Sequence, residues 1–287
     1  MSDTTLQDEL LRAEGFMLQE QDEAARELLL ALAEDAEEYV DRNCPTTDEL
    51  QWFSFPTIFE RLCYRRVESD PRELRDVGEP LDRLYADLAL ADVRTGEYDH
   101  AMESLKQAIR WNPMGCSYRL DLADLMLIEG NVREGLALAY SVFERASDAR
   151  HLARAYLIFS NWFAQADNAR ASAAALRAAR RLDVLDGPLA AALDQAAGTE
   201  RDPESLTDEQ AAEVLAAEGL PDGANAEVAI CLLMCASDAA VAGERGLATE
   251  LTIRARDLVG ESAAMALLEL IRESDAAGAG GGAAGEE

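Results

Sequence analysis

His100 and His151 are the only histidines among 287 residues. A triad or metal centre built on histidine needs a carboxylate, serine, cysteine or second ligand at a spacing the backbone can close. Neither histidine sits beside a Ser, Cys or carboxylate arrangement that reads as a triad or metal site, so both read as surface residues, and no catalytic residue, metal ligand or cofactor is nominated. Cys231 and Cys235 stand one helical turn apart and could share a metal, but no second ligand pair follows them. A buried pair of thiols on a helix is the simpler reading. The chain is therefore expected not to be an enzyme.

Charge and aromatic clusters offer binding chemistry instead. Between Glu144 and Arg181 seven arginines face three acids, a local reversal in an acidic chain. Arg150, Arg154, Arg170, Arg177, Arg180 and Arg181 could form an anion patch that takes an acidic peptide or phosphate through paired guanidinium contacts. Alternatively, Arg177, Arg180 and Arg181 close a helix whose C-terminal dipole favours cations, and the others pair with nearby acids. Trp52, Phe53 and Phe55 beside Pro56 are either an exposed anchor or the packing of a loop on the next helix. Residues 1–50 hold 15 acids against Arg12, Arg26 and Arg42, which reads as a solvated helix face or a contact for a basic partner.

The whole chain has a formal net charge of -30, from 56 acidic and 26 basic residues. Such an excess repels phosphate backbones and anionic lipid alike, so neither nucleic acid nor membrane is expected as a partner. At 49% hydrophobic and 29% charged residues the chain can bury a core. Lys106 is the only lysine, a skew read as genomic composition rather than a choice of arginine for binding. The start of the chain has no basic segment followed by an apolar run, and no stretch reaches the roughly 18 apolar residues of a spanning helix. A cytoplasmic location with reduced cysteines is expected.

These residues must be positioned by helices, because helical periodicity dominates the chain. One helical stretch covers Leu6 to Val40 with a turn near Gln19 to Asp22. Thr46 to Glu49 offers N-cap and acidic first-turn residues, and Pro56 suits the start of a helix running to about Val67, ended by Asp70-Pro71. Helices then run from Pro80 to Thr95 and on to Trp111, with breaks at Gly96, Asn112-Pro113, Gly130-Asn131 and Asp167-Asn168. Gly96 and Gly130 stand 34 residues apart, as do Ala89 and Ala123. Small residues recur where two helices of a hairpin would approach most closely: Ala89 and Ala101, Ala123 and Gly135, Ser160 and Ser172. Weaker versions use Ala13 with Ala25 and Ala236 with Ala248.

With its 34-residue period, Leu88-Ala89, Gly96-Glu97-Tyr98, Ala101, Leu105, Ala108 and the closing Pro113, the stretch from Leu84 resembles the tetratricopeptide repeat family. The likeness extends over roughly residues 82–183, and the chain looks like uncharacterised bacterial proteins of that group. It implies an all-α fold, an antiparallel helix-pair solenoid coiled as a right-handed superhelix, with extra N- and C-terminal helices. The expected organisation is an acidic helical region at 1–80 with a cryptic helix pair, a central array of three pairs at 81–185, a linker with short helices at 186–223, C-terminal helices at 224–274 and a disordered Gly/Ala tail at 275–287.

The resemblance further implies that the first helix of each pair lines an inner wall. That wall would present Arg83, Asp87, Leu90 and Arg94, then Asp121, Asp124 and Leu127, then Arg154, Asn161 and Gln165, with Arg154 shared with the arginine-rich window. The expected function is a non-catalytic scaffold that binds a protein or peptide in its groove, a homo-oligomer remaining open. The alternative is a regulatory sensor whose groove takes a small peptide or metabolite and controls a protein target.

Overall fold

The computed structural model describes residues 5–281, and side chains as far as Arg272. Among the described residues it holds fourteen α-helices, one 3-10 turn and two short strands, and the chain divides into two compact units, Met1–Leu138 and Ala139–Glu287. None of those helices is long and apolar enough to cross a membrane. All five cysteines are buried thiols.

In the first unit, α1 (Leu6–Leu18) and α2 (Asp22–Asn43) form a hairpin. Thr5 opens α1 with a capping box shared with Asp8. After an intervening segment come α4 (Leu81–Thr95), α5 (Tyr98–Trp111), α6 (Cys116–Ile128) and the start of α7 (Val132–Arg145). One apolar cluster joins Leu10, Met17 and Leu29 of α1 and α2 to Leu81, Leu84 and Leu88 of α4. A second joins Ala89 and Leu105 of the α4–α5 hairpin to Leu122 and Leu125 of α6. Each leucine wholly buried there contributes roughly 1.5–3 kcal/mol.

The segment between α2 and α4 differs from the sequence expectation. It contains strands β1 (Leu50–Phe53) and β2 (Glu73–Asp76), paired in parallel with Leu50 opposite Glu73, and the helix α3 (Ile58–Glu68) between them. Parallel strands cannot be joined by a tight turn, and α3 supplies the crossover. Thr46 to Glu49 thus leads into a strand rather than capping a helix, and the cap of α3 is Thr57. The run Leu50 to Phe53 is short and rich in aromatic residues, which suits a pleated strand. Phe53 stacks on Phe55 at 4.9 Å and meets Tyr64 of α3 at 4.8 Å, so this aromatic group packs against the adjacent helix.

The second unit contains the end of α7, then α8 (Ala149–Gln165), α9 (Ala169–Arg181), α10 (Gly187–Ala196), a 3-10 turn at Pro203–Ser205, α11 (Asp208–Ala217), α12 (Ala226–Val241), α13 (Arg245–Val259) and α14 (Glu261–Gly281). The segment 186–223, read from sequence as a linker with short helices, holds α10, the 3-10 turn and α11; α11 lies on α9 and buries Ala211 and Leu215. The backbone of α14 carries the Gly/Ala stretch as helix to Gly281; residues 282–287 of the expected disordered tail lie outside the described residues.

One turn geometry recurs in both units. After α1, α4, α6, α8 and α12 a single residue takes a left-handed conformation: Glu20, Gly96, Gly130, Asp167 and Gly243, with φ between 57° and 86°. The next amide then donates back to the carbonyl five residues earlier: Gln21 to Phe16, Glu97 to Asp92, Asn131 to Met126, Asn168 to Phe163 and Glu244 to Ala239, at 2.8–2.9 Å. This is the Schellman closure, which satisfies carbonyls orphaned by the helix end. Seven residues before each left-handed residue stands Ala13, Ala89, Ala123, Ser160 or Ala236, every one buried. Direct contacts show why they are small. The Ser160 hydroxyl lies 2.9 Å from that of Ser172, and a Cβ on Gly135 would come within 3.0 Å of the Ala123 carbonyl.

Candidate functional site

With the turns as a common register, the first helices of the unit 1 pairs can be aligned residue by residue. Positions spaced by four, three and four residues share one face of a helix. On α1 that face carries Gln7, Leu11, Glu14 and Leu18; on α4, Arg83, Asp87, Leu90 and Arg94; on α6, Ser117, Asp121, Asp124 and Ile128. Four large aliphatic side chains on this face stand in solvent: Leu11 at 53%, Leu18 at 86%, Leu90 at 44% and Ile128 at 82% exposure. Leu127, expected on the same wall, instead turns toward α7, where its Cγ would lie 2.8 Å from a Cβ on Gly135.

The charged wall residues do not all project into solvent. Arg83 bonds to Glu14 of α1 and approaches Asp87 at 3.7 Å. Arg94 donates to the Met17 carbonyl at 2.9 Å and to Asp22 at 3.1 Å. Both guanidiniums are thus engaged by the α1–α2 hairpin, which the sequence left unconnected to α4. Asp87 Oδ2 is buried and accepts no hydrogen bond. Burial, with the nearby charges of Glu14 and Asp82, pushes the Asp87 carboxyl up to about 6, against the opposing pull of Arg83.

At the N-terminal end of the three helices lies a cleft of about 460 Å³, lined among others by Gln7, Phe55, Glu79, Asp82, Arg83 and Tyr118. Its floor is organised by Asp82, which is buried and accepts from Ser54 Oγ at 3.3 Å, Asn112 Nδ2 at 3.2 Å and the Tyr118 hydroxyl at 3.1 Å. Burial pushes Asp82 upward, opposed by these three donors. The Ser54 amide donates in turn to the Trp111 carbonyl at 2.9 Å. One carboxylate therefore ties the end of β1 to α4, α5 and α6. Sequence reasoning missed Ser54, Asp82, Asn112 and Tyr118 because the network joins residues 28 to 36 positions apart and has no local spacing signal.

His100 is exposed, as the sequence reading has it, and it also meets a buried carboxylate. His100 Nδ1 lies 2.6 Å from Asp92 Oδ2, and Asp92 also takes Arg26 Nε at 2.6 Å and Ser104 Oγ at 3.4 Å. The turn at Gly96 folds the two residues together, and the wholly buried Asp92 serves as the joint between α2 and the α4–α5 hairpin. Ser104 reaches the carboxylate rather than the imidazole, so the group lacks the serine–histidine contact of a nucleophilic triad.

In the second unit, Arg154, Asn161 and Gln165 occupy the corresponding register of α8, but Ile158 between them is buried and α10 packs on the same helix. Among the arginines of the sequence-predicted anion patch, Arg150 bonds Asp148, Arg177 bonds Asp208 at 2.6 Å, Arg180 bonds Glu204 and Arg181 bonds Asp222; Arg170 is exposed. Clefts of about 530 and 540 Å³ share Leu182, Asp183, Arg256 and Asp257, and Arg150, Arg181 and Arg256 bond Asp148, Asp222 and Asp257 of those linings. Cys231 and Cys235 sit in the core face of α12.

Compared with known protein families and with curated proteins, the chain matches no family model and no curated sequence.

Proposed function

We propose that the chain is a non-catalytic interaction scaffold built of tetratricopeptide-like helix pairs, and that its first unit binds a protein or peptide segment across the face of α1, α4 and α6. The observation that carries this reading is the placement of Leu11, Leu18, Leu90 and Ile128 in one register on three helices, each open to water. A helix face with only solvent to meet is ordinarily polar, and exposed aliphatics grouped on one face mark contact surfaces. The repeated Schellman turns and small-residue pairs support the helix-pair relationship, including the pair at α1–α2 that was weak in sequence. Buried thiols fit a reducing, cytosolic setting.

The test is affinity capture of partners with the full chain, followed by titration of the recovered purified protein against wild type and a Leu90→Ser, Ile128→Ser variant. Binding weakened at least about tenfold, or roughly 1.4 kcal/mol, is the expected outcome. Equal affinity for both chains, with unchanged circular dichroism, counts against the face.

A further inference from the structure

We infer that the outer face of α3 is a second contact surface, one that receives a short acidic amphipathic helix from a partner protein. The inference is independent of the reading above and concerns a different element. Ile58, Arg61, Leu62 and Arg65 stand at positions i, i+3, i+4 and i+7, so they share one side of α3, while Phe59, Cys63 and Tyr64 are buried on the other. All four are exposed, Ile58 by 71% and Leu62 by 43%. The two arginines are held in place but not neutralised. Arg61 Nη2 donates to the Leu74 carbonyl of β2 at 3.0 Å, and Arg65 Nη1 to the Asp70 carbonyl at 3.1 Å. A carbonyl fixes a guanidinium without cancelling its charge, and it takes only one of the five N–H donors of each.

The neighbouring acids are engaged elsewhere: the Asp70 carboxylate by Tyr64 and Arg72, and Glu73 by Arg75. Glu60 accepts the Thr57 hydroxyl and, two residues from both Ile58 and Leu62, stands across the helix from them. Glu68, the other acid of α3, is partly buried at its end. The helix dipole accounts for Arg65 in the last turn. It accounts neither for Arg61, a turn earlier, nor for two large aliphatic side chains in water beside the arginines. The occupant follows from this chemistry. Carboxylates meet the oriented guanidiniums as paired contacts, and aliphatic side chains on the same helix cover Ile58 and Leu62. With 11 residues α3 is about 16 Å long, so a partner of roughly three turns spans it. A nucleic acid or an anionic bilayer extends far past this patch and meets the rest of a chain of net charge -30. A short helix meets the patch alone, because charges more than about 8 Å away are screened at physiological salt.

Three labelled synthetic helical peptides test this by fluorescence anisotropy on the full chain. The first carries a leucine stripe flanked by glutamate, the second the same stripe flanked by arginine, the third the glutamates with serine in place of leucine. The first should bind, less tightly as salt rises, and the other two at least about tenfold more weakly. A Leu62→Ser, Arg65→Ala variant with unchanged circular dichroism should weaken the first peptide at least about tenfold, while Leu90→Ser, on the α1, α4 and α6 face, should leave it unchanged. Arg65→Glu should lose the glutamate peptide and gain affinity for the arginine one. Failure to bind the first peptide, or binding that the α3 variants leave unchanged, overturns the inference. Loss with Leu90→Ser alone assigns the peptide to the other face and overturns it as well. The same holds if phosphatidylserine vesicles or a DNA duplex bind through Arg65 more tightly than the peptide does. Sedimentation of the full chain completes the test: a larger species that the α3 variant dissociates would make a second copy the occupant and the partner helix wrong.

Discussion

Asp87→Asn should make the first unit more stable at neutral pH and leave it unchanged in acid. The Asp87 carboxyl titrates near 6 in the folded chain against an ordinary value of 3.8. Its folded value is the higher one, so the stability linked to its proton is fully present below about pH 4 and lost as pH rises through about 6. Over that interval the cost of carrying the ionised group reaches about 3 kcal/mol, at roughly 1.4 kcal/mol for each pH unit, net of the attraction of Arg83. Asparagine keeps the shape and removes the charge, so the variant should gain up to that amount at pH 7.5 and almost nothing at pH 4. Urea titrations at the two pH values measure this, read by the fluorescence of Trp52 and Trp111, which both belong to the first unit. A gain of equal size at both pH values, or a loss at pH 7.5, refutes the electrostatic account of this residue.

Other positions test the packing. Ala101 is wholly buried where α5 meets α4, and Ala101→Leu should overpack the hairpin by roughly 1–3 kcal/mol, seen as a lower urea midpoint. Asp92→Ala should strip Arg26 of its carboxylate and cost about 3 kcal/mol, the lower end for a broken buried pair because Arg26 keeps 22% side-chain exposure. A double-mutant cycle of Arg26→Ala with Asp92→Ala should then show strong coupling. Glu20 holds the left-handed turn position with φ 59°, so Glu20→Gly should raise the thermal midpoint through a gain of about 1 kcal/mol.

The hairpin turns were legible because their cause is local. A left-handed turn residue and two small residues at fixed distances from it specify a hairpin, and all are visible in the sequence at Gly96, Gly130 and Asp167. The same marks identified α1–α2 and α12–α13 only weakly; in the first pair Leu32 stands where the pattern wants a small residue. The strand pair was not legible: its four-residue strands are too short for an alternation signal, and Thr46 to Glu49 imitates a helix start. Of the wall residues, Leu90 and Asp87 emerged from the repeat register. Leu11, Glu14 and Leu18 did not, since their helix was not read as the neighbour of α4. The role of Asp92 depended on Arg26, 66 residues away, and no spacing in the chain announces it.

The segment between Asn43 and Leu81 also bears on the order in which the first unit folds. Hairpins such as α4–α5 close over two-residue turns and can form in isolation from the rest of the chain. The α1–α2 hairpin has its apolar partner on α4, beyond the β1–α3–β2 excursion, so docking must close a large loop before any leucine is buried. Asp92 is sealed from water at that same step, when Arg26 of α2 reaches it. Nucleation at α4 to α6 followed by late arrival of the N-terminal hairpin is the expected sequence of events. Substitutions at Leu10 or Leu29 should accordingly speed unfolding with little change in the folding rate, whereas substitutions at Leu105 should slow folding.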